Sequence, residues 1–164
     1  MAEYPGPPPR EKGIYALILY IGKEVLIRLK SRGWSIEPGI YVYIGSAGGP
    51  GGLRARILRH IGRPSKRHWH IDYLTSDDDV EVYAVLYTTC SWGPRAESLV
   101  ASCLQNAGLT PIEGFGATDD KKSKSHLYKL ASSEEPSLDI IAECMMVLGR
   151  YCNISIWMPR APRR

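Results

Sequence analysis

No run of eighteen or more apolar residues occurs in this 164-residue sequence, so no segment is suited to cross a membrane as a helix. The opening stretch, MAEYPGPPPREKG, has no apolar core, and no secretory signal is expected there. Cysteine is scarce. The four residues, Cys90, Cys103, Cys144 and Cys152, include no C-x-x-C pair. That argues against a cysteine zinc site. Four dispersed thiols are also too few for a disulfide scaffold, and a reduced, cytoplasmic compartment is the expectation. The Asn153-Ile154-Ser155 sequon is set aside, with no export signal to serve it. The glycine-rich stretch GSAGGPGG at 45–52 lacks the G-x-x-x-x-G-K-[ST] pattern, so a nucleotide phosphate loop is not supported. No internal repeat is present. What remains is ordinary globular composition: 44% hydrophobic, 23% charged and 9% aromatic residues, with length enough for one domain and a real core.

The net charge of +4 hides an asymmetry. Residues 1–67 carry 12 Lys/Arg against four Asp/Glu, whereas residues 68–164 carry nine against 13. A basic N-terminal half beside an acidic C-terminal half suggests a directional surface, and phosphates are the obvious partner for it. A solvated charged face explains the same counts equally well.

Residues 1–12, with Pro5, Pro7, Pro8 and Pro9, read as a flexible proline-rich arm. Gly13 to Tyr20 (GIYALILY) is a continuous β-prone apolar run and reads as a central strand. Lys23 to Lys30 and Ile40 to Gly45 are further strands, spaced closely enough for antiparallel hairpins. A helix is expected from Leu53 to Ile61, and a short one within HWHIDYLTSDD ending near Ser76. Val80 to Thr88 alternates cleanly as a strand. Pro94 to Asn106 is a helix with Pro94 in its first turn and Gly108 past its end, where those residues are favoured. Residues 110–125 read as a long loop and His126 to Leu130 as a short edge strand. Ser137 is a plausible N-cap for a helix to Leu148. Tyr151 to Trp157 closes as a strand-like segment, followed by a basic tail.

Two helices carry charge where apolar residues are expected. Counting from Leu53, positions i+3, i+4, i+7 and i+8 are Arg56, Ile57, His60 and Ile61. Arg56 and His60 therefore fall on the apolar stripe, while Arg54 and Arg59 fall outside it. A guanidinium on a core-facing stripe is costly unless it meets an anion. The duller reading is an edge residue that snorkels to water. On the helix Pro94 to Asn106, Glu97 shares a stripe with Val100, Ala101 and Leu104. It could be a structural salt bridge, with Arg56 for instance, or a ligand of a divalent cation. A third reading is a carboxylate favoured by the helix dipole. Tyr15, Tyr20, Tyr41 and Tyr43 sit on the strands, where such residues mostly pack with a hydroxyl at the surface.

Gly13-Ile14-Tyr15 followed by Tyr43-Ile44-Gly45 resembles the pair of tripeptides that names the GIY-YIG nuclease superfamily. The order, the strand context, the Arg56-x-x-x-His60 spacing and the later Glu97 strengthen the resemblance. Stretches such as YVYIGSAGG, LRARILRHI, HWHIDYL and SHLYKL are similar to one prokaryotic subfamily of unassigned function, sometimes fused to an endonuclease III-type glycosylase. The resemblance covers about residues 12–130. An extra strand separates the two tripeptides, and a late asparagine common in the superfamily has no evident counterpart. His126 lies in that neighbourhood. Lys122 and Lys124 stand where related sequences tend to carry cysteines.

With the element order, the resemblance implies an α+β fold: a small central antiparallel β-sheet flanked by helices. A nuclease-like domain would span residues 13–130, and residues 131–164 would add a C-terminal helix, strand and basic tail that could pack on the same domain. The implied activity is metal-dependent hydrolysis of DNA phosphodiester bonds, structure- or lesion-directed, in DNA repair or recombination. The alternative is a nucleic-acid-binding module without cleavage. The resemblance implies that Glu97 holds a divalent cation, Mg²⁺ or Mn²⁺, since Mg²⁺ often keeps several waters and few protein ligands. Arg56 would pair with the scissile phosphate through its planar fork. Tyr15 would be the general base or orient the attacking water, assisted by Tyr43, with His60 as the rival base. Arg54, Arg59, Arg63, Lys66 and Arg67 would hold the DNA backbone.

Overall fold

The computed structural model describes residues 2, 3, 6–117, 123–131 and 138–159. Ser137, Lys122 and the tail beyond Pro159 lie outside the described residues. The elements run, in chain order, β1 (Ala2–Glu3), β2 (Gly13–Ile21), β3 (Val25–Arg28), β4 (Gly33–Ile36), β5 (Gly39–Ala47), α1 (Gly52–Ile61), α2 (His70–Thr75), β6 (Val80–Thr88), α3 (Pro94–Asn106), β7 (Thr110–Pro111), β8 (Leu127–Lys129), α4 (Leu138–Met145) and β9 (Ser155–Trp157). A short 3-10 turn, Met146–Leu148, follows α4.

Among the described residues the main sheet has the order β1-β9-β6-β2-β5-β8-β7. It is antiparallel throughout, except where the two-residue β1 runs parallel to β9. The fold is α+β, with an antiparallel sheet flanked by helices as expected. β2 lies between β5 and β6, and this central position explains its unbroken apolar sequence. Ile14, Ala16 and Ile18 join one core with α3 and α4, while Tyr15, Leu17 and Leu19 join a second core with α1 and α2. A strand covered on both faces has no side to leave polar.

The pleat places the two tripeptides together. In the β2–β5 ladder Tyr15 stands opposite Gly45, and Leu17 stands opposite Tyr43. Residues two apart on a strand share a face, so Tyr15, Tyr43 and Gly45 point the same way. Leu53 and Ile57 of α1, both fully buried, pack on that face.

Several expectations need correction. The segment Lys23 to Lys30 is β3 alone, and its partner β4 was not foreseen. The two form a separate hairpin. The expected edge strand at His126 to Leu130 is β8, which lies between β5 and β7. The arm at residues 1–12 is not loose where it is described. Ala2–Glu3 pairs with β9, Pro8 is buried, and the Glu11 and Pro9 carbonyls accept the Leu53 and Arg54 N–H groups. These bonds satisfy orphan donors at the start of α1, which has no side-chain cap. In line with the expectation, residues 138–159 pack on the same domain, since Ile141, Met145, Ile154 and Ile156 lie in the core beneath α3.

The cysteines overturn the expectation of free thiols. Cys90 is joined to Cys152 and Cys103 to Cys144, and no free cysteine remains. Spacing in the sequence hid the pairs, because both are long-range: 62 and 41 residues apart.

Candidate active site

The start of β2 and the end of β5 meet α1 and the first turn of α3 at a pocket of about 150 Å³. Tyr15, Tyr43, Arg56, His60 and Glu97 all line it, together with Ser46, Trp69, Gly116 and His126. The five side chains come from four segments of the chain, so the fold gathers every residue expected at the reacting centre.

Tyr15 is almost fully buried, and its hydroxyl lies 2.9 Å from His60 Nε2. Gly45 makes room for it, because a Cβ there would fall on the Tyr15 ring and hydroxyl. Burial, then the Tyr43 hydroxyl, raises the Tyr15 pKa well above the usual phenol value, and the Arg56 guanidinium opposes them only in part. Tyr43 is raised as well, chiefly by burial and then by Glu97. Both phenols therefore hold their protons at neutral pH. His60 is 1% exposed, and burial lowers its pKa despite the Asp72 carboxylate.

Arg56 is aimed by two contacts. Its Nη1 donates to the Ser46 carbonyl at 2.7 Å, and its guanidinium lies 4.3 Å from the Trp69 ring centre. Ser46 also accepts the Gly93 N–H at 2.6 Å through its hydroxyl. One residue at the end of β5 thus ties together α1 and the turn into α3. The other face of the α1 helix behaves differently. Arg54 donates to the Pro8 carbonyl at 2.9 Å. Arg59 donates to the Lys66 carbonyl and pairs with Asp72. Arg63 pairs with Asp78 at the surface, and Arg67 lies over Tyr73 at 5.2 Å. Of the expected backbone-binding set, Arg54, Arg59 and Arg63 are thus engaged within the chain, and Lys66 and Arg67 remain as exposed cations.

Glu97 keeps its carboxylate partly exposed at the pocket, at 20%, with His126 Nδ1 3.8 Å away. Gly116, at φ +72°, brings the backbone close here, since a Cβ would meet Tyr43 and His126 at 3.2 and 3.3 Å. No cluster of three or more His, Cys, Asp or Glu exists among the described residues, so a closed metal cage is absent from them. One carboxylate beside hydroxyl and imidazole donors does suit a hard, largely hydrated cation such as Mg²⁺. It does not suit a structural zinc site.

Sequence reasoning left Ser46, Trp69, Asp72 and His126 without roles. Asp72 had a local signal: the third position of a short helix favours a carboxylate that caps it. His68 and His70 do not line the pocket. His68 packs edge-on against Trp69. His70 accepts the Gly116 N–H and stacks near Trp34 and Phe115, holding the loop over Tyr43.

Fold and site together define a small α+β domain with a pocket of acid–base, cationic and carboxylate groups at the end of its two central strands. The chain belongs to the family described as Domain of unknown function DUF123, whose model matches residues 14–149. No curated protein and no solved structure matches it. The family match runs from β2 through the 3-10 turn after α4, so it includes every residue of the pocket. Among the described residues, no helix is long and apolar enough to cross a membrane.

Proposed function

We propose that this protein is a metal-dependent endonuclease of the GIY-YIG type, hydrolysing DNA phosphodiester bonds in repair or recombination. The observation that carries the reading is the pocket itself. It sets two tyrosine hydroxyls, a histidine, an aimed guanidinium and a partly exposed carboxylate around one space. Phosphodiester hydrolysis needs an oriented water, neutralisation of the phosphoryl charge and help for the leaving oxygen. Arg56 meets the phosphate, and Trp69 and Ser46 keep its fork in place. Tyr15 orients the attacking water, with its own hydroxyl anchored on His60. Glu97 holds a divalent cation, Mg²⁺ or Mn²⁺. When bound, that ion neutralises charge developing on the phosphate oxygens.

The reading keeps the cytoplasm as the compartment. The two disulfides remove the thiol argument for that compartment and fit it only in a cell that keeps intracellular disulfides.

The test is incubation of the full chain with flap, bubble, gapped and branched DNA, with and without Mg²⁺ or Mn²⁺. Metal-dependent strand cleavage is expected. Glu97→Gln should abolish it while leaving DNA binding and melting temperature in place. Salt-sensitive binding without cleavage under any metal would replace this reading with that of a binding module.

A further inference from the structure

We propose that Asp72 is a positioning residue that fixes the ring tautomer of His60, so that a bare Nε2 faces the Tyr15 hydroxyl. The inference rests on the nuclease reading and adds a residue from α2 to its site.

The two oxygens of Asp72 have different surroundings. Oδ2 accepts the His68 N–H at 2.8 Å, the Trp69 N–H at 3.0 Å and Arg59 at 3.1 Å. Those contacts close the turn before α2 and are a sufficient local reason for an aspartate. Oδ1 makes none of them. It lies 3.4 Å from His60 Nδ1, and among the described residues neither atom makes a hydrogen bond, to the other or to any third group. Asp72 is fully buried and His60 nearly so, and buried polar atoms of this kind are normally paired. At 3.4 Å the contact is long for a hydrogen bond, as such contacts often are before substrate tightens the site.

A neutral imidazole carries one N–H and one lone pair. A lone pair on Nδ1 would face the carboxylate with like charge, whereas Nδ1–H would satisfy both orphan atoms once the contact shortens. Nε2 is then the acceptor, and the Tyr15 hydroxyl at 2.9 Å donates to it. Burial agrees, because it keeps His60 neutral and the Tyr15 proton in place. The proton path in hydrolysis follows. The water oxygen forms the new P–O bond as the bond to the leaving oxygen breaks. The water's proton passes to the Tyr15 oxygen, and the tyrosine's own proton passes to His60 Nε2. The resulting imidazolium lies against the Asp72 carboxylate, which stays unprotonated. His60 later returns the proton to the leaving alkoxide or to solvent. The arrangement follows the logic by which a buried aspartate orients histidine in hydrolases.

The experiment is a long-range proton–nitrogen correlation spectrum of the ¹⁵N-histidine-labelled full chain, with His60 identified by the signals lost in His60→Gln. The Nδ1–H tautomer is expected in the wild type. Asp72→Asn places an amide donor against Nδ1 and should switch His60 to Nε2–H. Single-turnover cleavage of the best substrate should then fall at least about a hundredfold, with DNA affinity unchanged. An Nε2–H tautomer in the wild type overturns the inference, and so does a folded Asp72→Asn with unchanged tautomer or undiminished cleavage. If Asp72→Asn fails to fold, the wild-type tautomer and the response of the Nε2 signal to Tyr15→Phe decide instead. A wild type that cuts nothing defeats the nuclease reading, while the tautomer still decides the positioning of His60.

Discussion

Arg54 and Arg56 stand two positions apart on one helix, yet they face different worlds. Arg56 lines the pocket with its fork set by Ser46 and Trp69, while Arg54 reaches back to Pro8. The stripe argument separated them from sequence alone. Arg59 also lies outside the stripe and outside the pocket, as expected, but its pairing with Asp72 of another element had no local signal. Lysine at position 56 would keep the charge but lose the two-pronged geometry. Arg56→Lys should lower single-turnover cleavage at saturating protein about a hundredfold, roughly 2.7 kcal/mol of transition-state stabilisation. Arg54→Ala should leave that rate nearly unchanged. Equal losses at the two positions would show that the helix presents the wrong face to substrate.

Two histidines and a buried aspartate make stability depend on pH. Burial lowers the folded-state pKa of His60 and of His70 below the ordinary value of 6.5. Above that value both states are neutral and the stability is complete. As pH falls below it, the unfolded chain takes up protons first and folding weakens. Burial raises Asp72, but its His60, backbone and Arg59 contacts outweigh that and lower it, so it adds a further loss below its ordinary value of 3.8. The melting temperature should therefore drop steadily from pH 7 to pH 4, and more gently in His60→Gln. A melting temperature that rises on acidification would contradict the burial of these groups.

At the scale of elements, legibility followed the source of each signal. β2, β6 and α3 were readable because propensity, alternation and terminal residues agreed. β6 and α3 run between the residues expected, Val80 to Thr88 and Pro94 to Asn106. β4 was invisible because only Ile36 of its four residues is buried. Its identity comes from pairing with β3, which no local pattern encodes. Five residues that line the pocket were legible because tripeptide order and helical faces marked them. Asp72, Trp69 and Ser46 were not, because each acts on a side chain brought near only by the fold. The N-terminal arm is a similar case. Its prolines suggested looseness, yet its carbonyls cap α1. Deleting residues 1–9 should strip the Arg54 N–H and side chain of their acceptors, at about 1–3 kcal/mol for a donor left unsatisfied. Since α1 carries Arg56 and His60, cleavage should fall with it. Urea denaturation of the truncated chain checks the first effect, and an unchanged midpoint would show that water replaces the arm.

Across the whole molecule, the two layers over the sheet are stabilised by different means. The layer holding the pocket packs α1 and α2 through Leu53, Ile57, Ile71 and Leu74, and the β3–β4 hairpin through Val25, Ile27 and Ile36. The opposite layer adds covalent links: Cys103–Cys144 joins α3 to α4, and Cys90–Cys152 joins the loop after β6 to the segment before β9. Closing loops of 62 and 41 residues removes denatured-state entropy, worth about 2–4 kcal/mol for a typical disulfide. One loop lies inside the other, so the second link adds less than the first. α4 is short, at eight residues, and gains most from being tethered. The paired variant Cys103→Ala with Cys144→Ala should lose about 2–4 kcal/mol in denaturant unfolding. Its Tyr15–His60 contact lies in the other layer, so single-turnover cleavage at moderate temperature should stay within about twofold. Dithiothreitol should lower the wild-type melting temperature and leave that of a variant lacking all four cysteines unmoved. A reduced chain as stable as the oxidised one would mean that packing beneath α3 and α4 is sufficient without the links. A reduced chain that melts early and also loses cleavage would mean that α3, through Glu97 in its first turn, transmits the strain of its far end to the pocket.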